Sequence, residues 1–279
     1  MGALLITGLT DLHAQLNVDL QVSRRQFIAH EAIPVSVRLT NRAGKELFLH
    51  GDGRRPWLDF VVVDKRGTPM RPLGGVLNFQ AAKVPVGRSV AKNIDLASVF
   101  ALESYGNYTV YAVVTLPTGE SFQSARNSFT VTKGRTIYEQ RVGLGKKARD
   151  YRLITFAPAN KSYLYFQAEL VDQGRVAITY PIGEILVFRK PQATVDKAGD
   201  LHALYLAAPD RYMHIRIDSQ GRLAEKKIYK RGAVGDPRLV AFADGEVQVA
   251  GGILHDAKKQ AAQRAKIRKI SERPSALFN

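Results

Sequence analysis

A pattern that is used once and then begun again is the feature that most constrains what this chain can fold into. The segment Pro191-Gln-Ala-Thr-Val-Asp-Lys-Ala-Gly-Asp-Leu-His-Ala-Leu-Tyr205 reads as an entry proline, a short strand, a glycine turn and a second strand of alternating character. Pro237-Arg-Leu-Val-Ala-Phe-Ala-Asp-Gly-Glu-Val-Gln-Val-Ala250 repeats it 46 residues further on. Between the two lie Arg211-Tyr-Met-His-Ile-Arg-Ile-Asp218, the turn Ser219-Gln-Gly-Arg222, and Leu223-Ala-Glu-Lys-Lys-Ile-Tyr229. A period of about 40–50 residues carrying four short strands marks a unit that buries its faces only by stacking on a neighbour.

Length and charge bound the rest. A chain of 279 residues, 45% apolar, can bury a core and divides most naturally into two domains. Without cysteine it has no disulfide, no Cys-based zinc site and no thiol nucleophile. Forty-one Lys plus Arg against 25 Asp plus Glu give +16, an excess that attracts phosphate, sulfate, anionic lipid or acidic glycans. Residues 1–14 end in Leu12-His-Ala14 and read as a secretory signal cut after Ala14, or as a leader, although no basic residue precedes Arg24. Export, periplasmic or extracellular, is the expectation, with a cytoplasmic chain the alternative.

Residues 15–133 read as an antiparallel β-sandwich. Leu16, Val18, Leu20 and Val22 alternate with polar neighbours, as do Val35, Val37 and Leu39. Phe60-Val-Val-Val-Asp64, Tyr108 to Val114 and Phe122 to Val131 supply further strands, separated by Gly and Pro turns. The run Val84 to Val110, with Gly87-Arg-Ser89, Asp95-Leu96 and Gly106-Asn-Tyr-Thr-Val110, resembles the edge of immunoglobulin-like domains found beside bacterial proteinase-inhibitor-type and metalloprotease-associated modules. The resemblance implies an immunoglobulin-like sandwich; it encodes a corner rather than a site. His30-Glu31-Ala-Ile-Pro34 stops short of a zinc-binding His-Glu-x-x-His.

Residues 134–150 read as a basic linker. Gly143-Leu-Gly-Lys-Lys147 lacks the hydroxyl and helix of a phosphate-binding loop. From residue 151 to 255 the strand pattern resumes, and these units resemble β-propeller blades, too few to close a ring, so that self-association through the incomplete repeats is one expectation. Tyr163, Tyr165 and Phe166 fall on both faces of one strand, which divides them between core and surface. Asp64-Lys-Arg-Gly67, Asp196-Lys-Ala-Gly199 and Asp218-Ser-Gln-Gly221 read as hairpin turns in which Asp bonds its own loop, not as calcium loops, since their inner positions offer few oxygens.

No catalytic motif, dinucleotide fingerprint or cofactor signature is visible. His202 and His214 fall on one sheet face only if the Ala207-Ala-Pro-Asp210 hairpin sets that register, and the sequence favours two half-exposed strand residues over a metal pair. Trp57, after Gly53-Arg54-Arg55-Pro56, is a ligand-facing aromatic or a core residue. The tail, residues 256–279, carries Lys258, Lys259, Arg264, Lys266, Arg268 and Lys269 in a helix-favouring run without an acid.

The reading is an all-β protein: an immunoglobulin-like sandwich, then a blade-repeat domain with a short basic tail. It acts as a non-catalytic binding or structural module of the cell envelope. Exposed strand edges and the basic loops of Arg54, Arg55, Lys146 and Lys147, with Trp57 beside the first, would meet an acidic protein or glycan. The alternative is an intracellular nucleic-acid-binding protein using the tail, and a further one an enzyme whose residues are dispersed.

Overall fold

The computed structural model describes residues 16–53, 55–74, 77–233 and 235–255. It is all-β, with 21 strands and two 3-10 turns among the described residues. The chain divides after Gly134 into two compact units.

The first unit contains β1 (Leu16–Val22), β2 (Gln26–Ile28), β3 (Pro34–Asn41), β4 (Leu47–Leu49), β5 (Leu58–Val63), β6 (Ala82–Val84), β7 (Ser89–Asp95), β8 (Gly106–Thr115), β9 (Ser121–Gln123) and β10 (Asn127–Thr132). One sheet has the order β1-β3-β7, another runs β2-β10-β8-β5 with β9 beside β8, and β4 pairs with β6 in a two-stranded sheet. The longer strands expected from the alternation, β1, β3, β5 and β8, each have one apolar face, whereas the three-residue strands β2, β4 and β6 carry too short a pattern to be expected. In β8 the alternate residues Tyr108, Val110, Ala112 and Val114 are buried. They share a core with Val18, Leu20, Val35, Val37 and Leu39 of the opposite sheet, the arrangement of a β-sandwich. Burying such side chains contributes about 1.5–3 kcal/mol each relative to exposure.

The second unit contains β11 (Arg135–Val142), β12 (Arg149–Phe156), β13 (Tyr163–Leu170), β14 (Arg175–Glu184), β15 (Gln192–Val195), β16 (Leu201–Ala208), β17 (Arg211–Ile217), β18 (Leu223–Arg231), β19 (Arg238–Ala241), β20 (Val247–Ala250) and β21 (Gly252–Leu254). They form a four-stranded sheet, β11-β12-β13-β14, a five-stranded sheet, β15-β16-β17-β18-β21, and the hairpin β19-β20. The 46-residue shift maps β15 onto β19 and β16 onto β20. Leu153, Phe166 and Ile182 of the first sheet pack with Leu201, Ala203, Tyr205 and Ile215 of the second. On the other face of the second sheet, Leu204, Leu206 and Tyr212 pack against Leu239 and Val249 of the hairpin. The result is three stacked layers.

Two expectations are corrected here. The basic linker over 134–150 is a strand, a hairpin loop and the start of the next strand: β11 is the edge of the first sheet and pairs with β12. Its inner alternation is broken by a bulge between Thr136 and Tyr138, which hid the strand. Tyr165 and Phe166 are both fully buried, so β13 is covered on both faces rather than half exposed. Residues 1–14, read as signal or leader, and the tail 256–279 lie outside the described residues. Among the described residues no helix is long and apolar enough to cross a membrane.

Candidate functional site

The second unit holds a polar cleft of about 500 Å³ between the five-stranded sheet and the β19-β20 hairpin. Two ties hold the hairpin over it. The Lys197 amide donates to the Gly245 carbonyl (3.0 Å), and the Leu239 amide donates to Gln192 Oε1 (2.8 Å). Gly245 has φ of 81°, and a Cβ there would stand 2.8 Å from Lys197 Cβ, so only glycine allows this approach.

The floor of the cleft is a buried hydrogen-bonded chain. Asp196 opens the β15-β16 turn, where its Oδ1 accepts the amides of Ala198 (2.8 Å) and Asp200 (2.9 Å). Its Oδ2 lies 3.1 Å from His202 Nε2. His202 Nδ1 lies 3.2 Å from His214 Nε2. Both imidazoles are buried. The ring planes differ by only 21° and their centroids are 5.4 Å apart, close to the largest separation that a 3.2 Å nitrogen contact permits. The nitrogens therefore face each other edge to edge, as in an N–H···N bond.

The register that unites the histidines comes from a bulge. Leu206 pairs with Tyr212 but Ala208 with Arg211, so the extra residue, Ala207, shifts the pairing by one and sets Leu204 opposite His214 and Arg216 opposite His202. The histidines become diagonal neighbours on one face. The expectation of two half-exposed strand residues is thereby corrected.

Electrostatics fix the direction of the chain. Burial pushes the Asp196 carboxyl up, but the bonds from the Asp200 amide, His202 and the Ala198 amide outweigh it and hold the group below the usual carboxylate range. Asp196 is therefore an acceptor, and His202 Nε2 must be the donor. In the tautomer in which His202 Nδ1 carries no proton, it accepts from His214 Nε2–H, and His214 Nδ1 is left with a lone pair. Burial, then repulsion from His202, lower the pKa of His214 to about 4, which keeps it neutral near pH 7. His214 Nδ1 is buried and has no hydrogen-bond partner among the described residues.

The cleft walls are paired charges. Arg216 donates to Asp200 (2.6 Å), and Lys227 pairs with Glu225 (2.7 Å). Tyr229 stands edge-on to His214, with ring centroids 6.4 Å apart. Glu246 and Gln248 line the cleft from the hairpin.

The residues singled out in the sequence fall elsewhere. Trp57 is a core residue, 1% exposed; its indole N–H donates to the Phe79 carbonyl (3.1 Å), and the apolar ring fills the first sandwich. The expected ligand-facing role is corrected on that ground. Its edge and exposed Arg55 line a cavity of only about 140 Å³, below the roughly 300–1,000 Å³ of ligand pockets. Lys146 and Lys147 are exposed in the β11-β12 loop of the second unit and make no ion pair among the described residues. Arg54, Lys258, Lys259, Arg264, Lys266, Arg268 and Lys269 lie outside the described residues. No group of three or more His, Asp or Glu suited to a metal occurs among the described residues.

The fold and the cleft define an all-β protein of two units with a buried polar chain in the second. No protein-family description matches the chain, and no curated protein matches it. Among solved structures, the sporulation control protein Spo0M of Bacillus subtilis is similar over 93% of this chain and 98% of its own, at 9% identity and a TM-score of 0.29.

Proposed function

We propose that the protein is a non-catalytic binding module of the cell envelope that recognises an acidic partner, a protein or a glycan, through basic loops. The observation that carries this reading is the end of the second unit where its hairpin turns meet. The Val171 amide donates to the Ala148 carbonyl, and Arg149 donates to the Ser219 carbonyl (2.9 Å). Lys197 joins the β19-β20 turn through Gly245. These ties gather exposed Lys146, Lys147, Arg175, Lys197 and Arg222 at one end of one unit. Asp196 and Asp218 of the same turns face inward and accept their own loop amides. Exposed Asp172, Asp244 and Glu246 share these turns, so the five exposed Lys and Arg face outward in excess over three exposed carboxylates. Leu144, 90% exposed between Gly143 and Gly145, adds an apolar contact at the tip.

The first unit supports the immunoglobulin-like reading. The Tyr108 hydroxyl, near the start of β8, donates to the Ser104 carbonyl (2.8 Å), the bond of a tyrosine corner. Stacked antiparallel meanders in the second unit support blade-like repeats.

The test is binding of full-length protein to immobilised heparin and to polyglutamate across a salt series. Retention that falls steeply with salt and drops at least tenfold in K146E/K147E is expected. Equal retention of the double variant would overturn the loop assignment. Loss of binding only on removing residues 256–279 would favour the nucleic-acid alternative.

A further inference from the structure

The cleft under the β19-β20 hairpin stands apart from the basic loops in its chemistry. A buried hydrogen-bonding atom without a partner costs about 1–3 kcal/mol, and native folds seldom carry one without a use. His214 Nδ1 is such an atom, on a side chain that lines an open cleft. With Asp196 as the acceptor for His202 and His202 as the acceptor for His214 Nε2–H, the chain leaves a buried acceptor on the edge of the His214 ring turned away from His202. Whatever completes the chain must donate a hydrogen bond.

The walls narrow the choice. Arg216 and Lys227 bring cationic donors, but each is held by its own carboxylate, Asp200 or Glu225. Glu246 accepts from Gln248 Nε2 (3.1 Å) on the hairpin. Among the described residues that line the cleft, a phosphate or sulfate would find no unpaired Lys or Arg and would meet Asp196, Glu225 and Glu246. A hydroxyl is both donor and acceptor, so several on one scaffold can satisfy His214 and the paired groups at once. Tyr229 adds a flat apolar surface beside them. The cleft volume, about 500 Å³, is that of a small-ligand site.

We infer that this cleft binds a neutral polyhydroxylated ligand, a sugar unit, with one ligand hydroxyl donating to His214 Nδ1 and others bonded to the Glu225–Lys227 pair and to Gln248. The site is independent of the proposed basic-loop interface, so heparin retention and sugar binding can fail separately.

The experiment uses the full chain labelled with 15N at histidine and titrated with glucose, galactose, N-acetylglucosamine, lactose and chitobiose, each at millimolar concentration. Binding of at least one sugar should shift the His214 Nδ1 resonance and leave Nε2 protonated. Affinity should fall roughly tenfold in His214→Phe, the loss of one hydrogen bond. Because that variant removes a buried group, Gln248→Ala on the exposed hairpin supplies a second test and should weaken binding several-fold at unchanged thermal stability. No shift with any sugar would overturn the proposal, as would a shift with ethanolamine alone or equal affinity in both variants.

Discussion

The two units bury their strands in different ways. In the sandwich, β3 and β8 alternate a buried with a less buried residue along their length, so one face packs and the other meets solvent. In the second unit, Leu201 to Leu206 of β16 are buried without interruption, because the strand lies between a sheet and a hairpin. A strand covered on both faces must carry any polar residue into the interior. His202 and His214 are buried for that reason, and Asp196 supplies the partner that the first of them needs. In the sandwich the buried polar groups instead tie the backbone. Asn41 donates to the carbonyls of Lys45 and Val84, and Glu31 accepts the Ile28 amide (2.6 Å) while pairing with Arg24. The Gln167–Thr179 bond (3.1 Å) ties neighbouring strands of the second unit in the same way, whereas its two buried histidines line a cleft.

The largest expected effect sharpens the apolar side of that contrast. Trp57→Ala removes the largest fully buried side chain of the sandwich and should destabilise it by about 3–5 kcal/mol in denaturant unfolding followed by circular dichroism. A loss under about 1 kcal/mol would mean that Trp57 is not core.

The next effect concerns the polar chain. His202→Leu leaves Asp196 Oδ2 and His214 Nε2 without their partner and should cost about 2 kcal/mol. Combining it with His214→Leu should cost less than the sum of the two single changes, since the second removes an orphan that the first creates. Strict additivity would show that the histidines do not act as a unit.

A smaller effect appears with acid. The folded pKa of His214 is about 4, below the ordinary value of 6.5. Between those values the unfolded chain holds a proton that the folded one does not, so stability falls as pH drops from about 6.5 to about 4 and levels off below. After allowance for solvent and for coupling to His202, the loss from this group should be about 1–2 kcal/mol. The groups around it are His202, Arg216, Glu225 and Lys227 on the sheet and Glu246 on the hairpin. Urea midpoints measured from pH 7 to pH 4 should show a shallower slope in His214→Leu than in the native chain. Identical slopes would remove His214 as the source.

Much of this architecture was legible in the sequence, and the reasons are specific. The alternation at Leu16 to Val22 and Tyr108 to Val114 marks strands because each has one wet face. The repeat from Pro191 to Pro237 is visible because the same hairpin is built twice around an Asp-Gly or Asp-x-x-Gly turn. Residues 134–150 read as a linker because β11 is an edge strand whose alternation is interrupted by the bulge between Thr136 and Tyr138, with three charged residues among its eight. Trp57 is ambiguous in sequence because an aromatic after a Gly-Arg-Arg-Pro stretch suits a loop or a core equally. The cleft was hidden for a sharper reason. A single bulge residue, Ala207, decides whether His202 and His214 share a face, and no side-chain pattern records a bulge. The Asp196-Lys-Ala-Gly199 turn was visible as a turn, but the second oxygen of Asp196 is free for His202 only in three dimensions.

The most direct test of the buried chain is a long-range proton–15N spectrum of the histidine rings at neutral pH. The account predicts that His214 carries its proton on Nε2, with an unprotonated Nδ1, and that His202 is protonated on Nε2 toward Asp196. A His214 ring protonated on Nδ1, or one that titrates near 6.5 like a solvent-exposed imidazole, would contradict it.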